Sequence, residues 1–234
     1  ASALILFASS INAWMTGEWA INTTINPISS TLLFIAISMK LGVAPFHFWL
    51  PEVLQGLSLS TGLILSTWQK IAPMALLIQL SESVNLILLL ILGLLSAMVG
   101  GWGGINQTQI RKIMAFSSIS HLGWMVAILK LQPQLTLFNF TLYVVMTVSL
   151  FLTFIHLNTK NIYEISSSWS KAPALSALSL LTLLSLSGLP PLTGFIPKWL
   201  IAQEMIKQEL TMFALLILLS TLLSLFFYLR ITYT

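Results

Sequence analysis

The chain contains no cysteine and no aspartate, and only 7% of its 234 residues are charged. Without cysteine there is no disulfide, no thiol chemistry and no cysteine-ligated iron–sulfur cluster, so any redox step belongs to another chain. No flavin or nucleotide motif is present either, and no cofactor is expected in this chain. The three histidines, His47, His121 and His156, are widely spaced and form no metal-ligand motif. The formal charge is +4, but too few lysines and arginines lie outside the apolar runs to make a basic patch, which argues against a nucleic-acid partner. Soluble domains carry about 25% charged residues, so a water-soluble globule is excluded.

What remains is hydrocarbon. The sequence is 57% hydrophobic, with a mean hydropathy of +0.94. Long apolar runs dominate, and the roughly ten-residue alternating segments of a membrane barrel are missing. The expected fold is an all-α, polytopic transmembrane helix bundle forming a single membrane domain over 1–234, with the bilayer as its solvent. Eight hydrophobic elements are legible. A first helix ends near Ala13, and a polar loop with Glu18 and Asn22 follows. The second runs over Pro27–Val43, breaks, and continues as a half-helix over Pro45–Gln55. Others cover Leu57–Leu80, Val84–Trp102, Thr108–Lys130 and Leu135–Leu157, the fourth ended by Gly100-Gly101-Trp102-Gly103-Gly104. A polar loop spans Asn158–Ala172. The seventh element starts at Pro173, is interrupted at Gly188-Leu189-Pro190-Pro191, and resumes through Pro197 to Lys207. The last covers Thr211–Ile231. The chain starts at Ala1 inside an apolar run with no basic region before it, which reads as the tail of a spanning helix rather than a signal peptide. The sequence is therefore expected to be a fragment.

If each element, broken or not, crosses once, the loops alternate sides. One side collects Arg111, Lys112, Lys160, Lys171 and Arg230; the other collects Lys130 and Lys207 with Glu18, Glu82 and Glu209. The positive-inside rule puts the first side in the cytoplasm or mitochondrial matrix. Trp14, Trp19, Trp102 and Trp169 fit interfacial belts.

The candidate functional residues are charges placed where hydrocarbon is expected. Lys40 precedes Gly42 and Pro45. Proline removes a backbone donor and disfavours helical geometry in the residue before it, so the helix breaks just after the lysine. Such a break is tolerated at membrane depth only where it is protein-buried or lines a wet cavity. Lys70 lies near the middle of its helix, over ten residues from either end, too deep to snorkel. A charged lysine there costs roughly 2.5–3.5 kcal/mol on insertion scales. Ser66 and Thr67 share its face, and Pro73 frees the Gln69 carbonyl. Lys198 follows the second break, which packs Gly188, Gly194 and three prolines into ten residues. Two broken helices with adjacent lysines are a pattern of inverted-repeat transporters. His121 is mid-helix with Ser117 and Ser118 one turn back, and histidine titrates near neutrality. A satisfied core histidine, and lysines held in structural ion pairs, are the alternative readings.

The stretch Lys40-Leu41-Gly42-Val43-Ala44-Pro45-Phe46-His47-Phe48-Trp49-Leu50-Pro51-Glu52, with Ser187-Gly188-Leu189-Pro190-Pro191-Leu192-Thr193-Gly194-Phe195 and Lys198, resembles the antiporter-like subunits of respiratory complex I. The resemblance covers the whole chain. It implies a multi-pass protein of the mitochondrial inner membrane whose partners are other complex I membrane subunits and the lipid bilayer, with NADH and ubiquinone bound elsewhere in the complex. It further implies that Lys40, Lys70 and Lys198 belong to a buried polar axis that relays protons, and that His121 links its halves. Members pair the first lysine with a glutamate on an earlier helix; here Glu18 sits in a loop, so that residue is expected upstream of Ala1, and a further helix is expected after Thr234. Competing readings are a subunit of a multi-subunit sodium/proton antiporter and a membrane scaffold. Sodium needs oxygen ligands, which favours protons.

Overall fold

A computed structural model describes residues 1–17 and 26–233. The loop expected around Glu18 and Asn22, and Trp19 with it, lies outside the described residues. Within them the chain forms twelve α-helices, joined by turns and one isolated bridge between Gln109 and Asn161.

Two early helices, α1 (Ser2–Met15) and α2 (Pro27–Leu41), pack against each other. Pro27 opens α2 at its first turn, where a missing N–H is harmless. Gly42 closes it with φ 79°, a left-handed backbone that an L side chain rarely adopts. At 1.5 Å per residue, α2 rises about 22 Å, short of the roughly 30 Å hydrocarbon thickness. The crossing is completed after the break by α3 (Trp49–Gly56). The expected half-helix began at Pro45; Pro45–Phe48 instead form turns, because the proline ring and its missing donor keep the chain out of a helix for a further turn.

The helix expected over Leu57–Leu80 is two helices, α4 (Leu59–Ser66) and α5 (Trp68–Gln79), bent at Thr67. Pro73 lies inside α5 and has no N–H for the Gln69 carbonyl. Upstream, the Thr67 hydroxyl donates to the Leu63 carbonyl at 2.7 Å, a back-bond that bends helices. The Lys70 N–H then turns to the Thr67 carbonyl, three residues back, at 3.2 Å.

Helix α6 (Leu86–Ile105) runs straight through the glycines expected to end it. These glycines are contact surface. A Cβ on Gly100 would lie 2.5 Å from the Ser120 nitrogen of α7 (Ile110–Ile128), and one on Gly101 would lie 2.8 Å from Leu223 in α12 (Thr211–Tyr233). Close backbone approach of this kind is how helices associate inside membranes, and it outweighs the intrinsic penalty of about 1 kcal/mol per glycine. On the α7 side, Gly123 answers Gly93, Ser96 and Ala97.

Of the nineteen residues of α7, sixteen are buried, which makes it the central helix. It contributes Leu122, Met125 and Val126 to an apolar cluster with α2, α5 and α6. It also contributes Ile113 and Met114 to another with α10 and α12. Both clusters include residues of α8 (Pro133–Leu157), whose N1 position is again a proline. The loop expected over Asn158–Ala172 contains a short helix, α9 (Ile162–Ser168). Asn161 and Glu164 form a capping box at its start, a local signal present in the sequence. Then come α10 (Pro173–Ser187), closed by Gly188 at φ 85°, and α11 (Phe195–Lys207).

The two ends of the bundle are fixed by long-range bonds. Arg111 donates to the Leu57 carbonyl, Arg230 to the Ile105 carbonyl at 2.6 Å, and Gln109 pairs with Asn161, so these gather at one end. Lys130 donates to the Val84 carbonyl at 2.7 Å, at the other end. The α4–α5 pair, α6 and α7 therefore run back and forth between these two ends. Helices α6, α8, α12 and the α4–α5 pair are long and apolar enough to span a bilayer; α7 is enclosed by protein instead. Trp14, Trp102 and Trp169 are exposed, as an interfacial role requires.

Replacing Gly123 by alanine places a methyl group 2.4 Å from Ser96 Oγ and 2.6 Å from the backbone of Gly93 and Ala97. Overpacking against backbone destabilises by about 1–3 kcal/mol. Gly123→Ala is expected to lower the thermal unfolding midpoint of the detergent-solubilised full-length protein, and an unchanged midpoint would show that α6 and α7 are not held this close.

Candidate functional site

Three of the four residues singled out from the sequence are interior. Lys70 on α5, His121 on α7 and Lys198 on α11 are 3%, 6% and 8% exposed. Among the described residues the one salt bridge is between Lys207 and Glu204, 3.5 Å apart on the same helix face. The buried lysines are therefore held by neutral groups.

Lys198 is held by the break itself. Its Nζ donates to the carbonyls of Ser187, at 2.8 Å, and Leu186, at 3.3 Å, the last carbonyls of α10. Those oxygens have no helical donor, and the helix dipole places negative potential there. Gly188 makes this possible twice over: its φ is positive, and a Cβ on it would lie 2.9 Å from Lys198 Nζ. The far side of the break is closed by Ser185, whose Oγ accepts from the Gly194 N–H at 3.2 Å and lies 3.0 Å from Thr193 Oγ1.

Lys70 is held by a residue the sequence did not flag. Its Nζ donates to the hydroxyl of Tyr143 on α8 at 3.4 Å and sits 5.4 Å from that ring's centre. The Tyr143 hydroxyl donates in turn to the Ser66 carbonyl at 3.3 Å. That carbonyl lies at the Thr67 bend, where the Lys70 N–H has turned away from it. The ring of His121 lies 5.5 Å from the ring of Tyr143. A signal for Tyr143 exists in the sequence: Asn139, Tyr143 and Thr147 repeat at every fourth residue along α8, and all three are buried.

His121 and Lys198 face a common space of about 10 Å³, lined also by Ser120, Ser220, Thr221 and Ser224, about the room one water needs. Each of these hydroxyls donates to a carbonyl of its own helix, three residues back. Lys198 also borders a cavity of about 550 Å³ that extends along α11 to Gln203 and Lys207. Lys40 differs from the other three. It sits in the last turn of α2 and is exposed, rather than pointing into the bundle as a shared interior axis would have it. It shares with Lys70, Gln69 and Pro73 a cavity of about 820 Å³. The α2 break is closed beside it by Trp49, whose Nε1 donates to the Met39 carbonyl at 3.0 Å. His47 is buried; His156 is exposed at the end of α8.

Lys70 and Lys198 are thus bound to neutral acceptors, and His121 shares with Lys198 a space the size of one water. A family model described as the NADH:quinone oxidoreductase/Mrp antiporter transmembrane domain matches residues 1–224. The chain belongs to this family. It is 62% identical to NADH-ubiquinone oxidoreductase chain 2 of Xenopus laevis and 58% identical to that of Squalus acanthias, in each case over the whole chain. It spans 68% and 67% of those proteins' lengths. Among solved structures, a chain of respiratory complex I from Thermus thermophilus with bound aureothin superposes with a TM-score of 0.89 at 28% identity. That match covers 99% of this chain and 55% of the other. A chain of the Mrp complex from Dietzia sp. superposes at 0.85 with 18% identity, covering 98% of this chain and 47% of its own, which shows the shared antiporter-family fold alone.

The glycines separate two effects. Gly17 and Gly188 both have positive φ, but nothing lies within 4 Å of a Cβ on Gly17. Left-handed geometry alone costs about 1–2 kcal/mol, so Gly17→Ala is expected to lower the unfolding midpoint modestly. Gly188→Ala is expected to lower it further, because it also displaces Lys198 from its carbonyls. Equal shifts would mean that the ammonium does not depend on Gly188.

Proposed function

We propose that this chain is a core membrane subunit of an H+-translocating NADH:quinone oxidoreductase in the mitochondrial inner membrane. In this reading it carries protons, while NADH oxidation and ubiquinone reduction take place in partner subunits. The relay residues are Lys40, Lys70, His121 and Lys198. The positively charged end, with Arg111, Lys160 and Arg230, faces the matrix by the positive-inside rule. The whole chain is one membrane domain with both broken helices within it.

The observation that carries this reading is the pair of buried lysines, Lys70 and Lys198, without a carboxylate partner among the described residues. A lysine locked in a buried ion pair is fixed in its charged form. One held by a phenol or by helix-terminal carbonyls gains and loses its proton with smaller changes around it. A unit charge at about 8 Å with an effective dielectric of about 20 contributes roughly 2 kcal/mol, and about 1.4 kcal/mol shifts a protonation equilibrium tenfold. Charge movement elsewhere in a complex is thus large enough to switch such a site. The same observation weighs against a scaffold whose lysines only make structural ion pairs. For a sodium carrier the axis offers hydroxyl and carbonyl oxygens but no carboxylate among the described residues, and its ammonium groups repel the ion.

The test replaces Lys70 in the full-length subunit of the assembled complex. Lys70→Met is expected to leave assembly intact and to lower the number of protons translocated per electron. Lys70→Arg keeps a permanent charge and is expected to assemble but translocate poorly. A wild-type proton-to-electron ratio in both variants would remove Lys70 from the relay and support the scaffold reading.

A further inference from the structure

Tyr143 stands between the two halves of the polar axis. The 820 Å³ cavity ends at Lys70, and the 10 Å³ space begins at His121. Tyr143 lines neither, is fully buried, and packs between Lys70 at 3.4 Å and the His121 ring at 5.5 Å. Its hydroxyl has one proton, which it donates to the Ser66 carbonyl, while the Ser118 hydroxyl of α7 lies beside it and donates to the Ala115 carbonyl. A backbone carbonyl accepts a hydrogen bond but passes no proton on. In this arrangement the proton that Tyr143 could pass on is held away from His121.

We propose that Tyr143 is a relay residue whose hydroxyl decides whether Lys70 communicates with His121. With the hydroxyl on Ser66, the phenol oxygen and ring face hold the Lys70 ammonium in place, and the two halves of the axis are separated. When the hydroxyl leaves Ser66 and turns toward His121, the phenol accepts a proton from Lys70 Nζ and gives its own to a ring nitrogen of His121. The step leaves a neutral amine, an intact phenol and an imidazolium, so protons and charge balance. The bend at Thr67 is the other half of the device. It presents the Ser66 carbonyl as an acceptor without an α5 donor, and so supplies the resting position for the hydroxyl. The other ionisable groups near this region are the buried Tyr228 of α12 beside Tyr143, Lys40 across the larger cavity and Lys198 beyond His121.

This inference rests on the proposed proton relay, and a double-mutant cycle in the assembled complex separates the two. Tyr143→Phe keeps the ring and its packing and removes only the hydroxyl. It is expected to assemble and to oxidise NADH, with a lowered proton-to-electron ratio. In a Lys70→Met background it is expected to add no further loss, because Tyr143 acts through Lys70. Tyr143→Gln, which keeps a donor and an acceptor, is expected to retain more of the ratio than Tyr143→Phe. A wild-type ratio in Tyr143→Phe, alongside a loss in Lys70→Met, would overturn the role of Tyr143 and leave the relay standing. So would additive losses in the double variant, or equal losses in the Phe and Gln variants at equal assembly. An unchanged ratio in Lys70→Met would instead overturn the relay itself.

Discussion

No backbone N–H or C=O can be left unpaired at membrane depth, and most of this structure follows from that constraint. The chain interrupts its helices three times within the bundle, and each interruption frees carbonyls. At the α2 break the Met39 carbonyl takes the Trp49 indole. At the Thr67 bend the Ser66 carbonyl takes the Tyr143 hydroxyl. At the α10 break the Leu186 and Ser187 carbonyls take the Lys198 ammonium. In the last two cases the group that satisfies the backbone is part of the polar axis. The site is therefore not added to a finished fold; it is how the fold settles its own unpaired oxygens. The same logic operates at the ends of the bundle, where Arg111, Arg230 and Lys130 close the carbonyls of Leu57, Ile105 and Val84.

Holding such a device requires a rigid partner, and α7 supplies it. Glycine and other small residues on α6 let the two backbones meet, so α7 sits where side chains of ordinary size would not allow it. His121 is thereby fixed relative to α8 and α12. The broken helices, by contrast, are short segments joined by glycine and proline, with fewer neighbours of their own.

Much of this was legible in the sequence, for definite reasons. The breaks at Gly42–Pro45 and Gly188–Pro191 follow from proline and glycine chemistry alone. The burial of Lys70 follows from its depth in the helix. What escaped depended on tertiary contact. The bend at Thr67 went unread, because it is marked by a threonine back-bond and closed by a tyrosine from another helix. Helix α6 passed through its glycines because α7 and α12 cover them. Lys40 was expected in the interior and is exposed, since burial of a helix-end residue depends on what packs across it. Tyr143 went unread although its spacing with Asn139 and Thr147 marked a polar stripe, and helix α9 although Asn161 and Glu164 announced its cap.

The serines around the small space between His121 and Lys198 have a consequence for what that space admits. A hydroxyl carries one proton and two lone pairs. Ser120, Ser220, Thr221 and Ser224 have each committed that proton to their own helix. They turn only lone pairs outward. The wall is a lining of partial negative charge built without a carboxylate, and it orients any water there with its hydrogens toward the serines and its oxygen toward the lysine. An anion such as chloride meets oxygen on those sides, whereas an excess proton meets acceptors. On its hydroxyl sides this compartment favours the hydrogens of a water over an anion, and the Lys198 ammonium closes the remaining side.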